Sequence, residues 1–187
     1  MTTFFTADSH FGHAKLAEYR GFDTVQSMND ALIAAWNSVV PATRSAEVYH
    51  LGDFSFMGTT KTLEVLEALN GRIFLIPGNH DKGMSTAVRN SFEGVKKPIH
   101  ELDVEWGDKS QRLVLCHFPM LVWNRAHHGA IHLHGHSHGN LRFPNPSARI
   151  MDVGVDANEA LMPVSLSRVM EHMIGADHKP FDQHGTL

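Results

Sequence analysis

Short apolar runs that end abruptly in Asp, Asn or His constrain this chain more than any other feature. Thr3–Ala7 leads into Asp8-Ser9-His10, and Val48–Leu51 leads into Gly52-Asp53. Ile73–Ile76 leads into Pro77-Gly78-Asn79-His80-Asp81, Leu113–Cys116 into His117, and Ile131–Leu133 into His134-Gly135-His136-Ser137-His138. The runs are too short for helices and several lack polar alternation, so they read as strands buried on both faces. Polar clusters at the carboxyl ends of several strands converge in the crevice where open α/β sheets bind their ligands. On extended backbone, residues i and i+2 share a side, so Asp8 with His10, and His136 with His138, are expected to face one target.

Thr3–Ala7, Ala46–Leu51, Arg72–Ile76, Arg112–Cys116, Ile131–His134 and Ile150–Val155 are the predicted strands. Leu102–Trp106 and Leu113–Cys116 flank Gly107-Asp108-Lys109 as a hairpin. Met28, Leu32, Ala35, Trp36 and Val39 repeat at helical spacing behind Ser27, which is expected to cap that helix with Asp30 three residues on. A second helix runs from about Thr60 through Leu63, Leu66 and Leu69 to a stop at Asn70-Gly71. A weaker one follows Gly83, and another covers Leu166, Val169, Met170 and Met173. The 187 residues correspond to about one domain of roughly 150 residues, and a chain of this size buries about 70% of its surface. One domain over 1–174 is expected, with a flexible tail over 175–187.

Composition narrows the function. No apolar stretch approaches the roughly 18 residues of a membrane span, and the amino terminus has no basic region followed by an apolar one. The single cysteine, Cys116, excludes an internal disulfide framework and fits a reducing compartment. A cytoplasmic protein without membrane contact is expected. The net charge of −4 disfavours long nucleic acid as a partner. The 15 histidines invite a search for metal sites. Carboxylate, imidazole and amide oxygen together suit Mn²⁺, Fe²⁺ or Zn²⁺, and Asp8, His10, Asp53, Asn79, His117, His136 and His138 are too many donors for one tetrahedral ion.

Each block alone reads as readily as a turn or a surface pair. In order, Asp8-Ser9-His10, Gly52-Asp53, Gly78-Asn79-His80-Asp81, His117 and Gly135-His136-Ser137-His138 resemble the calcineurin-like metallophosphoesterases. The wording around Tyr49-His50-Leu51-Gly52-Asp53-Phe54 and Cys116-His117-Phe118-Pro119 is similar to the small single-domain bacterial and phage members. The resemblance implies an α/β fold, a two-sheet β-sandwich flanked by helices on both outer faces (αββα). It implies one divalent cation on Asp8, His10, Asp53 and His138, and a second on Asp53, Asn79, His117 and His136, with Asp53 and a water or hydroxide shared between them. Mn²⁺ is the expected ion, with Fe, Zn, Ni or Co as alternatives. The implied reaction is hydrolysis of a phosphoric ester by that activated oxygen. His80 would protonate the leaving group, and Asp81 would orient its imidazole.

Beyond the blocks, His13 and Arg20 are candidates for substrate contact, and Arg125 for phosphate. Phe11, Trp123 and His127 are candidates to stack on a ring, with His127 and His128 at the mouth of the site. His132 and His134 are expected behind the ligands, Asp152 is expected to support a ligand histidine, and His172, His178 and His184 are expected at the surface. The expected substrate is a small phosphodiester or nucleotide. The alternatives are a nuclease acting on DNA or RNA, and a non-catalytic metal-binding scaffold of the same fold. Neither substrate identity nor oligomeric state is legible.

Overall fold

Alternation of side chains builds a two-sided sheet first. In the computed structural model, which describes residues 2–145 and 147–174, Phe4, Val48, Ile73 and Leu75 join one buried cluster. Their neighbours Phe5, Tyr49, Phe74 and Ile76 join another. These residues lie on or directly after β1 (Thr2–Thr6), β2 (Ala46–His50) and β3 (Arg72–Leu75). The three strands pair in parallel, with Phe4 opposite Val48 and Val48 opposite Ile73. β4 (Gly94–Val95) extends this sheet in parallel beyond β3, and β9 (Val164–Ser165) closes its other edge antiparallel to β1. Both are two-residue strands, too short to leave a periodic signal in the sequence.

The second sheet runs in the order β5 (Ile99–Trp106), β6 (Lys109–Cys116), β7 (Ile131–His134), β8 (Ile150–Asp152). β5 and β6 form the expected hairpin, and β6, β7 and β8 are parallel. Leu113, Leu115, Ile131 and Leu133 turn inward to meet Phe5, Ala7 and Tyr49 in the layer between the sheets. Just past the strands, Ala7 bridges Gly154, which stitches the two sheets together at one end.

Helices cover the two outer faces unequally. α1 (Ala14–Tyr19), α2 (Val25–Val39), α3 (Thr59–Ala68) and α4 (Thr86–Ser91) place Ala17, Met28, Leu32, Trp36, Val65 and Val88 on the first sheet's outer face. Among the described residues the outer face of the second sheet carries no α-helix, only the 3-10 turn Ala126–His128. Loops cover it instead, with Trp123, Ala126 and Ala130 packed on Val114. The expected symmetry of helices on both faces is corrected here. α5 (Leu166–Met173) places Val169, Met170 and Met173 in the cluster that fills the space between the sheets.

Two local expectations also change. The cap of α2 is Thr24, whose side chain accepts from the Ser27 N–H while Ser27 returns the bond to Thr24 N. Ser27 is thus the third helical residue of a capping box rather than the cap. A short helix absent from the predicted elements, α1, lies within 11–20, capped by the His13 ring accepting from Leu16 N at 3.3 Å. The expected helix after Gly83 is α4, and α3 ends at Leu69 before Gly71, whose φ of +87° favours glycine. The tail 175–187, with His178 and His184, lies outside the described residues.

Phe5 is fully buried between the sheets. Phe5→Ala is therefore expected to lower unfolding stability by about 3–5 kcal/mol, read as a shift in the urea midpoint.

Candidate metal centre

The end of the sandwich where Ala7 meets Gly154 gathers the chemically active residues. Asp8, His10 and His138 form one group able to hold a metal ion, and Asp53, His117 and His136 form a second, the ligand atoms of each lying within 4.8 Å of one another. Asp53 lies between them, its Oδ2 3.8 Å from His10 Nε2 and 3.4 Å from His117 Nε2. Asn79 joins the second group through Oδ1, 3.0 Å from His117 Nε2. All seven donors expected from the sequence therefore stand together.

They meet for a different reason than extended backbone. Asp8, His10, Asp53, His136 and His138 all have positive φ, between 48° and 69°. Each such residue costs about 1–3 kcal/mol and persists only where its surroundings enforce it. Enforcement comes from backbone bonds between the segments following β1 and β2: Asp8 N donates to Gly52 O, and His10 N to Asp53 O, each at 3.0 Å. Gly52, at φ +93°, has no room for a side chain, since a Cβ there would lie 2.5 Å from Gly78 N and 2.8 Å from His117 Nδ1.

The polar groups behind the donors set their tautomers. His117 Nδ1 lies 2.7 Å from Leu51 O and His138 Nδ1 lies 2.6 Å from Asp156 Oδ2. Each Nδ1–H donates, which leaves Nε2 in the neutral ring as a bare lone pair turned to the cluster. His117 Nε2 thus confronts Asn79 Oδ1, Asp53 Oδ2 and His136 Nδ1, the last at 3.2 Å. Asp8 Oδ1 and both ring nitrogens of His10 are buried with no hydrogen-bond partner. Acceptors converging at 3–4 Å match the separation of atoms that each sit about 2.1 Å from a shared cation. The residues fit a metal.

Electrostatics point the same way. Burial pushes the Asp8 carboxyl up to about 7 and the His10 imidazole down to about 3. Against burial, bonds from His117 and from the His80 N–H hold Asp53 down to about 2. Burial also opposes charge on His117, yet Asp53 pulls that imidazole up. Burial thus disfavours charge on both Asp8 and His10, and a bound cation would favour the ionised carboxylate and the neutral imidazole.

Several expected roles change. Arg20 is no free cation: its side chain is 3% exposed, and its N–H groups reach Asp156, Ser9 O, Asp8 O and Met28 Sδ. It holds the Asp8–His10 segment to Asp156, the residue that carries His138. Asp156 has no sequence signal, because its partner Arg20 lies 136 positions away. Asp81 makes no bond to the His80 ring. Its buried carboxylate accepts from Asp53 N, Phe54 N and Gly78 N at 2.7, 3.1 and 2.8 Å, tying the β2 and β3 ends together. Asp152 accepts from Ser137 Oγ, Gly139 N and Gly154 N, so it shapes the His136–His138 loop through its backbone rather than through an imidazole.

Phe11 and Trp123 are buried in separate clusters, so neither presents a ring to a substrate. Arg125, His127 and His128 are exposed on the loop that covers the second sheet. His132 is buried there, its Nε2 accepting from Met120 N while its ring packs on Trp123, and His134 Nδ1 bonds Gly135 O. The exposed rings beside the cluster, absent from the sequence reading, are Phe56 and Phe118. His80 is 48% exposed with Nε2 4.0 Å from Asp53 Oδ2, and His13 sits next to His10 with its ring 4.5 Å from Phe56.

Fold and site together define an α/β protein with two mixed sheets and Asp/His groups able to hold metal ions at their joined end. The chain is 34% identical over 174 residues to the uncharacterized protein MJ1445 of Methanocaldococcus jannaschii, covering 88% of this chain and 87% of that one. It is 31% identical over 201 residues to the gene 66 protein of Mycobacterium phage D29, covering 89% and 94%. The chain belongs to the family that includes these proteins. No protein-family model matches it. Among solved structures, a protein of unknown function from Aquifex aeolicus, AQ665, shares the fold with a TM-score of 0.68 at 20% identity, over 92% of this chain and 99% of that one. No described helix is long and apolar enough to cross a membrane.

Asp81→Asn is expected to lower metal-free stability by about 2–3 kcal/mol, since hydrogen bonds to a charged acceptor are lost, measured by urea denaturation. An unchanged midpoint with a loss confined to activity would restore the role of orienting His80.

Proposed function

We propose that this chain is a metal-dependent hydrolase of phosphoric esters, a small member of the calcineurin-like metallophosphoesterases. The observation that carries the reading is the convergence of ligand-type side chains from Asp8, His10, Asp53, Asn79, His117, His136 and His138, with Asp8 Oδ1 and both His10 ring nitrogens buried without a partner and Asp53 Oδ2 between the two groups. Two divalent cations there would activate water at neutral pH and offset charge on the phosphoryl oxygens. Asp8, His10, Asp53 and His138 would hold one, and Asp53, Asn79, His117 and His136 the other. Imidazole is a poor ligand for Mg²⁺, so Mn²⁺ is the preferred ion.

The protein's own part is position and proton transfer. His80 donates its backbone N–H to Asp53 Oδ1 at 2.9 Å, which fixes its place beside the shared carboxylate. Its imidazole is 48% exposed with Nε2 4.0 Å from Asp53 Oδ2, open to an arriving substrate, and hands a proton to the departing oxygen. His136 is exposed as well, whereas Asp8, His10, Asp53 and His117 are buried, so a substrate enters from the His80–His136 side. A net charge of −4 favours a small ester over long nucleic acid.

Elemental analysis together with hydrolysis of a chromogenic phosphodiester tests the reading. Activity should vanish on chelation and return with Mn²⁺, and full activity with Mg²⁺ alone would count against the donor assignment. Asp53→Ala is expected to abolish binding of both ions. His80→Ala should keep the metal content and slow turnover by about 10²–10⁴-fold, less for esters with good leaving groups. Loss of metal in the His80 variant would overturn its role.

A further inference from the structure

We infer that Phe56 and Phe118 are stacking walls for the substrate, and that the ester hydrolysed here carries a nucleobase. The inference rests on the phosphoesterase reading and deepens it. Among the described residues the exposed aromatic side chains are Tyr19, Phe56 and Phe118, and the last two lie against the metal cluster. The Phe56 ring centroid is 5.3 Å from that of His10, 4.5 Å from His13 and 4.8 Å from His80. The Phe118 centroid is 4.9 Å from His117 and 4.7 Å from His136, both edge-on.

Each ring is 44–45% exposed although burying a phenylalanine is strongly favourable. Their places are fixed by imidazoles that are themselves fixed. The face that each leaves open suits a flat ring, because stacking tolerates any base. The nearest arginine to the donor loops, Arg20, has its donors engaged inside the protein, so it offers nothing to a second phosphate. Recognition beyond the reacting phosphoryl group then falls to the rings.

The two walls serve different halves of the substrate. Phe56 borders His80, the proton donor to the departing oxygen, and both line a cavity of about 300 Å³ with Met57, Thr62, Met84 and Val88. Phe56 therefore meets the leaving group. Phe118 borders His117 and His136 and meets the group that stays on phosphorus. A nucleoside on the retained side stacks on Phe118.

The test compares thymidine 5′-(p-nitrophenyl) phosphate with methyl p-nitrophenyl phosphate, which share a leaving group and differ only in what stays on phosphorus. With manganese-loaded protein, Phe118→Ala should raise the ratio of the thymidine-ester KM to the methyl-ester KM about tenfold or more. Phe118→Tyr should restore it. Phe56→Ala should raise KM for both esters alike, since both present p-nitrophenyl to that wall. Calorimetric binding supplies a readout apart from turnover: thymidine 5′-phosphate should bind about tenfold tighter than deoxyribose 5-phosphate, and Phe118→Ala should erase the difference. Equal loss on both esters with Phe118→Ala, or no binding preference for the base, overturns the wall. A Phe56 effect confined to the thymidine ester overturns the assignment of sides. Protein inert toward both esters but still preferring the base sinks the hydrolase reading while leaving the wall standing.

Discussion

Carboxylate, amide and imidazole atoms crowded together at the joined end of the sheets set the terms for the rest of this structure. His117 Nε2, Asn79 Oδ1, Asp53 Oδ2, Asp8 Oδ1 and the His10 ring converge where ordinary packing would place donors opposite acceptors. An unsatisfied buried polar group costs about 1–3 kcal/mol, and five positive-φ residues add backbone strain on top. Such an arrangement survives only if the surrounding fold leaves it no alternative. The means are visible: Leu51 O turns His117, Asp156 turns His138, and Arg20 fastens Asp156 to the carbonyls of Asp8 and Ser9. From below, Ser9 Oγ bonds the fully buried His50 at 2.8 Å, holding the residue between two candidate ligands.

The sheets provide the frame for that constraint. Parallel strands β1 to β3 and β6 to β8 end at a common level, and the Ala7–Gly154 bridge with Val155 N on Ala7 O joins the two sheets there. Asp81 closes the remaining gap by binding the backbone on both sides of it. A carboxylate used in this way rigidifies the ends of two strands at once, a larger service to the site than orienting one exposed imidazole.

Strand ends and donor types were legible in the sequence because both are local properties. An apolar run stops, a ligand-type residue follows, and all seven such residues assemble. What was not legible depended on partners far along the chain. Arg20 read as an available cation because Asp156 is 136 positions away. Asp81 read as a partner of its neighbour His80, whereas its bonds go to residues 3, 27 and 28 positions off. Phe11 and Trp123 read as open rings because composition cannot tell which face of a loop the core takes. The extended-backbone argument succeeds for one pair only, and by the wrong geometry: left-handed residues, not a period of two, bring Asp8 and His10 into one group, while His136 and His138 fall into different groups.

A period of two fails one step further on as well. After Asp53 the chain runs on beside the segment after His10, with Phe11 N donating to Phe54 O, Phe56 N donating to Phe11 O, and Ser55 bridging Phe11. On extended backbone Phe54 and Phe56 would share a face, yet here they part. Phe54 enters the first core with no exposure, against Phe11 and Phe92, whereas Phe56 emerges 44% exposed beside His10, His13 and His80. Three residues thus anchor the Asp53 loop to the core and set an aromatic face at the rim. The backbone bonds that run from Asp53 to Phe56 alongside Phe11 therefore hold Asp53 among the donors and also determine which phenylalanine meets the solvent.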